Sequence, residues 1–125
     1  MILGIGQDII EIARVKAELA KDGDSFKSEL FTPLEIEYCD NKHYPERHYA
    51  ARFAAKEALF KAMTVPKGTG ISWLEVEIQN GFGGEPLIIL SGEAFMQGER
   101  MGVNRILVSL SHTTELASAS VILES

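Results

Sequence analysis

The stretch RFAAKEALFKA occupies residues 52–62 and predicts the central helix of the fold. Alanine, leucine, lysine and glutamate are all strong helix formers. Apolar side chains surround nearly the whole predicted helix axis, and a helix of that kind is buried in the middle of a domain. We therefore expect the chain to pack around a helix that starts near Glu46 and ends near Met63.

Glu57 is unusual because it lies in an apolar row of this helix, with Ala50, Ala54 and Ala58 at helical spacing. A buried carboxylate must be paired, bind a metal ion or change its pKa. One explanation is an ordinary ion pair with Lys61, one turn later. The other is a functional carboxylate, since perturbed charges cluster at functional sites. The helix alone leaves both explanations open.

The composition is that of an ordinary globular protein, with 125 residues of which 46% are hydrophobic and 24% charged. We expect one domain over residues 1–125. The net charge of −6 argues against a nucleic-acid-binding protein. The single cysteine, Cys39, cannot form an internal disulfide, and neither a signal peptide nor a transmembrane stretch is visible. These features predict a cytoplasmic protein that does not bind membranes.

Residues 2–10 predict a buried strand, because nearly all of them are apolar or glycine. Alternation places Gly4, Gly6 and Asp8 on one face of this strand. Glycines inside a strand often mark close approach by a ligand or by another backbone segment. Asp8 therefore either takes part in a site or caps the helix that follows.

Two further helices precede the central one. Residues 11–22 have amphipathic spacing, and we expect this helix to end at Gly23 because glycine is a common terminator. Residues 25–31 predict only a short helical turn. Thr32 is a good N-cap residue and Pro33 suits the first helical position, so the second helix starts there.

In the second half of the chain, apolar and polar residues alternate in short segments separated by turn residues. This pattern predicts two β-hairpins with a fourth helix between them. Leu74 is expected to point inward, and Ser91 to cap the fourth helix. The outer face of the last hairpin carries small and mixed residues, so it either packs against another subunit or is solvated. The complete order predicts an α+β fold with a mostly antiparallel sheet packed against the central helix. The strands are expected at residues 73–79, 86–90, 105–111 and 116–123.

Asp8, Glu57 and Lys61 are the residues on which a reaction could depend. Two carboxylates near glycines suit Mg²⁺, which prefers a few carboxylates with water and substrate phosphate oxygens. A lysine beside them would neutralise phosphate charge. The residues alone therefore indicate a magnesium–phosphate site.

The cysteine and the histidines indicate no other metal site. Zinc requires ligands at short, regular spacing, which Cys39, His43, His48 and His112 lack. His43 and His48 lie among polar residues and are expected to be solvated. His112 either caps a turn or contacts a ligand.

Five motifs, in order and spacing, resemble those of the holo-acyl-carrier-protein synthases, the small bacterial 4′-phosphopantetheinyl transferases. The two acidic motifs are specific as a pair, and members of that family have about this length. The motifs are GIGQDIIEIAR at residues 4–14, FTPLEIEYC at 31–39, RFAAKEALFKA at 52–62, GTGI at 68–71 and SLSHT at 109–113.

The resemblance implies a reaction and its site. Coenzyme A would give its phosphopantetheine arm to a serine of an apo acyl carrier protein, leaving adenosine 3′,5′-bisphosphate. Asp8 and Glu57 would hold Mg²⁺, and Lys61 would contact the diphosphate. The serine proton would pass to Glu57 or to a metal-held water. The residues carried over for coenzyme A binding are Arg52, Lys61, Gly68, His112 and Thr113.

The resemblance also implies partners. Family members are homotrimers with the active site between neighbouring subunits, and they serve fatty acid biosynthesis. They meet the acidic carrier protein through a basic first helix, where this chain offers Arg14 and Lys21. Glu18, Asp22 and Asp24 interrupt that face, so we expect weaker steering of the carrier than in a more basic relative.

Two alternatives to this reading stay open. The chain could be a trimeric module that binds coenzyme A or the carrier without transfer, although anion binding gains nothing from a buried carboxylate without a metal ion. It could also serve the carrier of a specialised synthase. Magnesium-dependent turnover and activity on several apo carriers would separate these alternatives.

Overall fold

Four helices and five strands form the part of the chain that the computed structural model describes, residues 1–65 and 70–125. The helices are α1 (Ile12–Leu30), α2 (Pro33–Asp40), α3 (Pro45–Ala62) and α4 (Gly92–Met101). The strands are β1 (Ile2–Glu11), β2 (Val76–Asn80), β3 (Pro86–Leu90), β4 (Arg105–His112) and β5 (Leu116–Glu124). One sheet has the order β1-β5-β4, the other pairs β2 with β3, and both are antiparallel. The predicted α+β class and central helix are confirmed.

Helix α3 is central because its small side chains let strands approach it closely. Ala54, Ala58 and Ala62 are buried in the main hydrophobic core. The three-stranded sheet contributes Val121 and Leu123 to the same core. These two side chains alternate with exposed or half-buried ones along β5, so one face of this hairpin packs into the core beneath α3.

The two glycines of β1 bring that strand against the backbone of α3. A Cβ atom at Gly4 would collide with the carbonyl oxygen of Ala62, and one at Gly6 with that of Ala58. Of the two predicted explanations for these glycines, close approach by a backbone segment is the one that the structure contains. The contact also fixes the direction of β1, which runs antiparallel to α3.

Helix α1 continues past its predicted end. Asp22 has non-helical dihedral angles (φ −154°, ψ 71°), and the chain then resumes helical geometry as far as Leu30. The predicted stop at Gly23 is therefore a kink rather than a terminus. The predicted Thr32 cap of α2 is confirmed, since its side chain accepts from the backbone N–H of Glu35 in a capping box.

The segment before β2 differs from the predicted strand. Ser72 and Glu75 form a second capping box, so residues Trp73–Glu75 make a single 3₁₀ turn and β2 begins at Val76. Leu74 is consequently exposed, and its predicted inward orientation is wrong. The Ser-x-x-Glu spacing was the sequence signal for this turn.

The cap of α4 is also different from the prediction. Ser91 occupies the N-cap position, but its side chain makes no capping hydrogen bond. The carboxylate of Glu75 accepts hydrogen bonds from the backbone N–H groups of Glu93 and Ala94 instead. Backbone hydrogen bonds from Ser72, Ala94 and Glu93 lower the pKa of Glu75.

The face of the three-stranded sheet turned away from α3 is exposed and partly apolar. Ile5 is 70% exposed and Ile9 is 61% exposed on β1, and Leu107 is exposed on β4. Serines from β4 and β5 lie between them, as Ser109–Ser120 and Ser111–Ser118 pairs.

Gly68, which the resemblance assigns to coenzyme A binding, falls within residues 66–69, outside the described residues. Across the described ranges, no helix is both long enough and apolar enough to cross a bilayer. Cys39 is a buried free thiol, and burial raises its pKa to about 12.

Candidate active site

Asp8 and Lys61 form an ion pair between β1 and the last turn of α3. The Lys61 ammonium donates to Oδ1 of Asp8 at 3.0 Å and to the backbone carbonyl of Gln7 at 3.0 Å. The Asp8 side chain is 16% exposed and that of Lys61 is 54% exposed. Because β1 continues to Glu11, Asp8 does not cap α1, and that alternative is wrong.

Glu57 lies on the turn of α3 that β1 reaches at Asp8. Gly4 packs against Ala62 and Gly6 against Ala58, so each two-residue step along β1 moves about one turn back along α3. The next step brings Asp8 beside the turn that carries Glu57, which is half-buried and engaged with other groups. Asp8 and Lys61 are therefore in contact where strand and helix meet, beside the turn of α3 that carries Glu57.

The donor chemistry of this site fits a hard divalent cation. Mg²⁺ is commonly held by one or two carboxylates, and water and substrate phosphate oxygens complete its octahedron. Asp8 and Glu57 would supply those carboxylates from a strand and a helix. Among the described residues, no group of three or more acidic, histidine or cysteine side chains could hold a metal ion.

A second polar group gathers around Tyr38 at the other end of α3. The Arg52 guanidinium lies over the Tyr38 ring at 3.9 Å and donates to Oδ1 of Asn80 at 2.8 Å. Arg52 is only 3% exposed. Its buried Nε has no hydrogen-bond partner among the residues that the structure describes.

His48 joins this group, which the sequence interpretation missed. Its ring centroid lies 5.9 Å from that of Tyr38 and 6.1 Å from that of His112. Burial lowers the pKa of His48, and the positive charges of Arg52 and Lys42 lower it further. The predicted solvation of His48 is therefore wrong. Its position four residues before Arg52 on one helix was the available signal.

The two groups lie along the same helix. Arg52 is five residues from Glu57 and nine residues from Lys61, which is about 8 and 14 Å along the helix axis. A ligand that contacts both groups of one chain must span this distance.

The family model of the 4′-phosphopantetheinyl transferase superfamily matches residues 4–117, which includes both groups. The chain belongs to the 4′-phosphopantetheinyl transferase superfamily. A relative from Koribacter versatilis, described as a holo-[acyl-carrier-protein] synthase, is 41% identical over 99% of each chain.

Solved structures of phosphopantetheinyl transferases have the same fold. The holo-[acyl-carrier-protein] synthase of Neisseria meningitidis superposes with a TM-score of 0.87 at 32% identity and covers 100% of both chains. The Helicobacter pylori enzyme, solved in complex with coenzyme A, gives a TM-score of 0.84 at 32% identity over 96% of this chain and 99% of that one.

The remaining predicted site residues of this phosphopantetheinyl transferase lie in three places. Arg14 and Lys21 are exposed on α1 before its kink. Thr113 forms the turn after β4, where its hydroxyl oxygen accepts from the backbone N–H groups of Glu115 and Leu116. Gly68 is outside the described residues.

Proposed function

We propose that this chain transfers the 4′-phosphopantetheine group of coenzyme A to a serine of an apo acyl carrier protein. The serine oxygen forms a bond to the phosphorus that bears the pantetheine. The bond from that phosphorus to the nucleotide half breaks, and adenosine 3′,5′-bisphosphate leaves. The serine proton passes to a base in the site. The observation that carries the proposal is the Asp8–Lys61 ion pair between β1 and α3, beside the turn of α3 that carries Glu57.

Asp8 and Glu57 are the residues that would hold Mg²⁺. When bound there, the ion would supply positive charge to the diphosphate as the phosphorus–oxygen bond breaks. The half-buried position of Asp8 supports this role, because a carboxylate held by a rigid strand is pre-oriented for a cation.

Lys61 would shift its interaction from Asp8 to the diphosphate. Its ammonium is more than half exposed and therefore accessible to a ligand. A lysine is a compact point charge on a flexible stem, so it can follow the phosphate during transfer. Lys61 would thus offset the negative charge of Asp8 before coenzyme A binds, and stabilise the negative charge of the phosphates afterwards.

Arg52 and His112 would hold the nucleotide end of coenzyme A. The unpaired Nε of Arg52 offers a buried donor to an anion, and its side chain is already fixed by Tyr38 and Asn80. Thr113 and Gly68 would complete this subsite, as their motifs imply.

The proposed assembly is a homotrimer in which one subunit brings its cationic group to a neighbour's carboxylates. The exposed apolar face of the three-stranded sheet supplies a surface for the contact. The carrier would dock on α1 through Arg14 and Lys21. We place the reaction in the cytoplasm, in support of fatty acid biosynthesis.

The proposal is tested by incubating the protein with coenzyme A, an apo carrier and Mg²⁺. Chromatography then separates coenzyme A from adenosine 3′,5′-bisphosphate. Adenosine 3′,5′-bisphosphate should appear only with carrier present, and EDTA should suppress it. Bound coenzyme A without any release would favour a binding module. Release with a specialised carrier but not with the fatty acid carrier would change the partner and retain the reaction.

A further inference from the structure

A fully buried ion pair lies on the side of α3 away from the carboxylates. The Lys56 ammonium donates to Oε1 of Glu35 at 2.7 Å, and both side chains are 0% exposed. The ammonium also donates to the backbone carbonyls of Leu30 at 2.7 Å and Trp73 at 3.1 Å. All three of its N–H groups are therefore used.

The Glu35 carboxylate is equally occupied. Oε1 also accepts from the backbone N–H of Thr32, and Oε2 accepts from the backbone N–H of Ile78, each at 2.9 Å. The pair therefore connects α3 with the end of α1, the start of α2, the 3₁₀ turn and β2. A helix held by directional bonds to four neighbours has little freedom to rotate about its axis.

Stability alone does not explain a charged pair at this position. Replacing a buried ion pair with apolar residues of similar volume is often neutral or stabilising, because both charges must be desolvated. A positional function does explain it, since charged hydrogen bonds have stricter geometry than apolar contacts. Phe53 and Phe60 of α3 also pack on Trp73, at ring centroid distances of 5.3 and 5.1 Å.

We propose that Lys56 and Glu35 are positioning residues, which set the rotation of α3 so that Glu57 and Lys61 face Asp8. Lys56 immediately precedes Glu57, so the two side chains leave the helix about 100° apart. Fixing the direction of Lys56 towards Glu35 therefore fixes the direction of Glu57 towards β1. This inference rests on the proposed function, because it gives Glu57 a metal ion to hold.

The test compares the double variant Lys56→Met/Glu35→Gln with the wild type. It removes both charges together, so no unpaired charge remains buried. We expect kcat to fall about 10- to 100-fold, as for misplaced catalytic groups, while the KM for the carrier is unchanged. Bound Mn²⁺, measured by electron paramagnetic resonance with coenzyme A present, should show about 10-fold weaker affinity, as for lost supporting residues of metal sites.

Two further variants separate positioning from stability. Val103→Ala shortens a partly buried side chain that packs beside Gly98 of α4, so it lowers stability at a place remote from the hydrogen bonds of Lys56 and Glu35. At a temperature where circular dichroism shows all variants folded, it should retain wild-type kcat and Mn²⁺ affinity. Glu35→Asp keeps the charge but shortens its reach, so it should fold and show intermediate losses even if the double variant does not fold.

Several results would overturn the inference. Wild-type kcat and Mn²⁺ affinity in folded Glu35→Asp or in the double variant would make the pair structural only, and so would equal losses in Val103→Ala. A wild-type protein that binds Mn²⁺ without transfer would refute the proposed function, and the Mn²⁺ comparison would still decide the role of Lys56. A wild-type protein that neither binds Mn²⁺ nor transfers phosphopantetheine would refute both the proposed function and this inference.

Discussion

At the scale of single residues, Asp8 is the proposed cation ligand on β1. Asp8→Asn keeps the shape of the side chain and removes its charge, so we expect transfer to fall about 100-fold or more. The Lys61 pair is exposed on the lysine side and contributes only about 0–1 kcal/mol to folding. Thermal unfolding should therefore barely change. A near-normal transfer rate measured by product chromatography would contradict the metal assignment.

Gly6 supports the same site through the backbone. Gly6→Ala would place a methyl group against the carbonyl of Ala58 and push β1 away from α3. We expect a loss of about 1–3 kcal/mol in the free energy of unfolding, measured by urea denaturation. Gly23→Ala is the matched control, since nothing lies within 4 Å of its added Cβ. Equal stabilities for the two variants would contradict the described contact between strand and helix.

Residue patterns predicted Asp8 and Glu57 as a pair of unusual carboxylates, but not the contact between Asp8 and Lys61. The pair visible in the sequence was Glu57 with Lys61, because i, i+4 spacing lies within one helix. The contact of Lys61 with Asp8 joins a helix to a strand 53 positions away in the chain. His48 was missed for a related reason, since its neighbours Tyr38 and His112 come from other elements.

At the scale of elements, local signals predicted the start of α2 correctly, whereas a tertiary contact changed the cap of α4. Thr32, Pro33 and Glu35 lie together in sequence and set the start of α2. Serine is a favoured N-cap residue, so Ser91 was predicted to cap α4, but Glu75 from another element supplies the carboxylate that does so. Which side chain caps the helix depends here on tertiary packing, and a local sequence pattern does not show that packing.

Helix α1 is the element on which carrier docking is tested. Arg14→Glu changes an exposed side chain on a face that already carries Glu18, so we expect a several-fold higher KM for an acidic carrier with kcat retained. The effect should shrink as salt is raised, because surface charges are screened. Arg100→Glu on α4 is the control with the same change in net charge. An unchanged KM, or an equal rise in the control, would remove α1 from the docking surface.

At the scale of the whole molecule, the exposed sheet face is the predicted subunit contact. Ile9→Glu places a charge on that face, so we expect the assembly to dissociate into monomers. Transfer should then be lost, because the Arg52 group of one subunit no longer lies beside the carboxylates of another. Analytical ultracentrifugation gives the mass. Met96→Glu changes an exposed methionine on α4 and should leave the assembly intact. A trimeric Ile9→Glu protein would place the contact elsewhere.

The central claim is transfer by a magnesium site on β1 and α3, and intact-mass spectrometry of the carrier tests it most directly. An apo acyl carrier protein is incubated with this protein, coenzyme A and Mg²⁺, alongside an EDTA control and the Glu57→Gln variant. We predict that the carrier gains one phosphopantetheine with the wild type, and gains none with EDTA or the variant. A gain that persists with EDTA or with Glu57→Gln would contradict the claim.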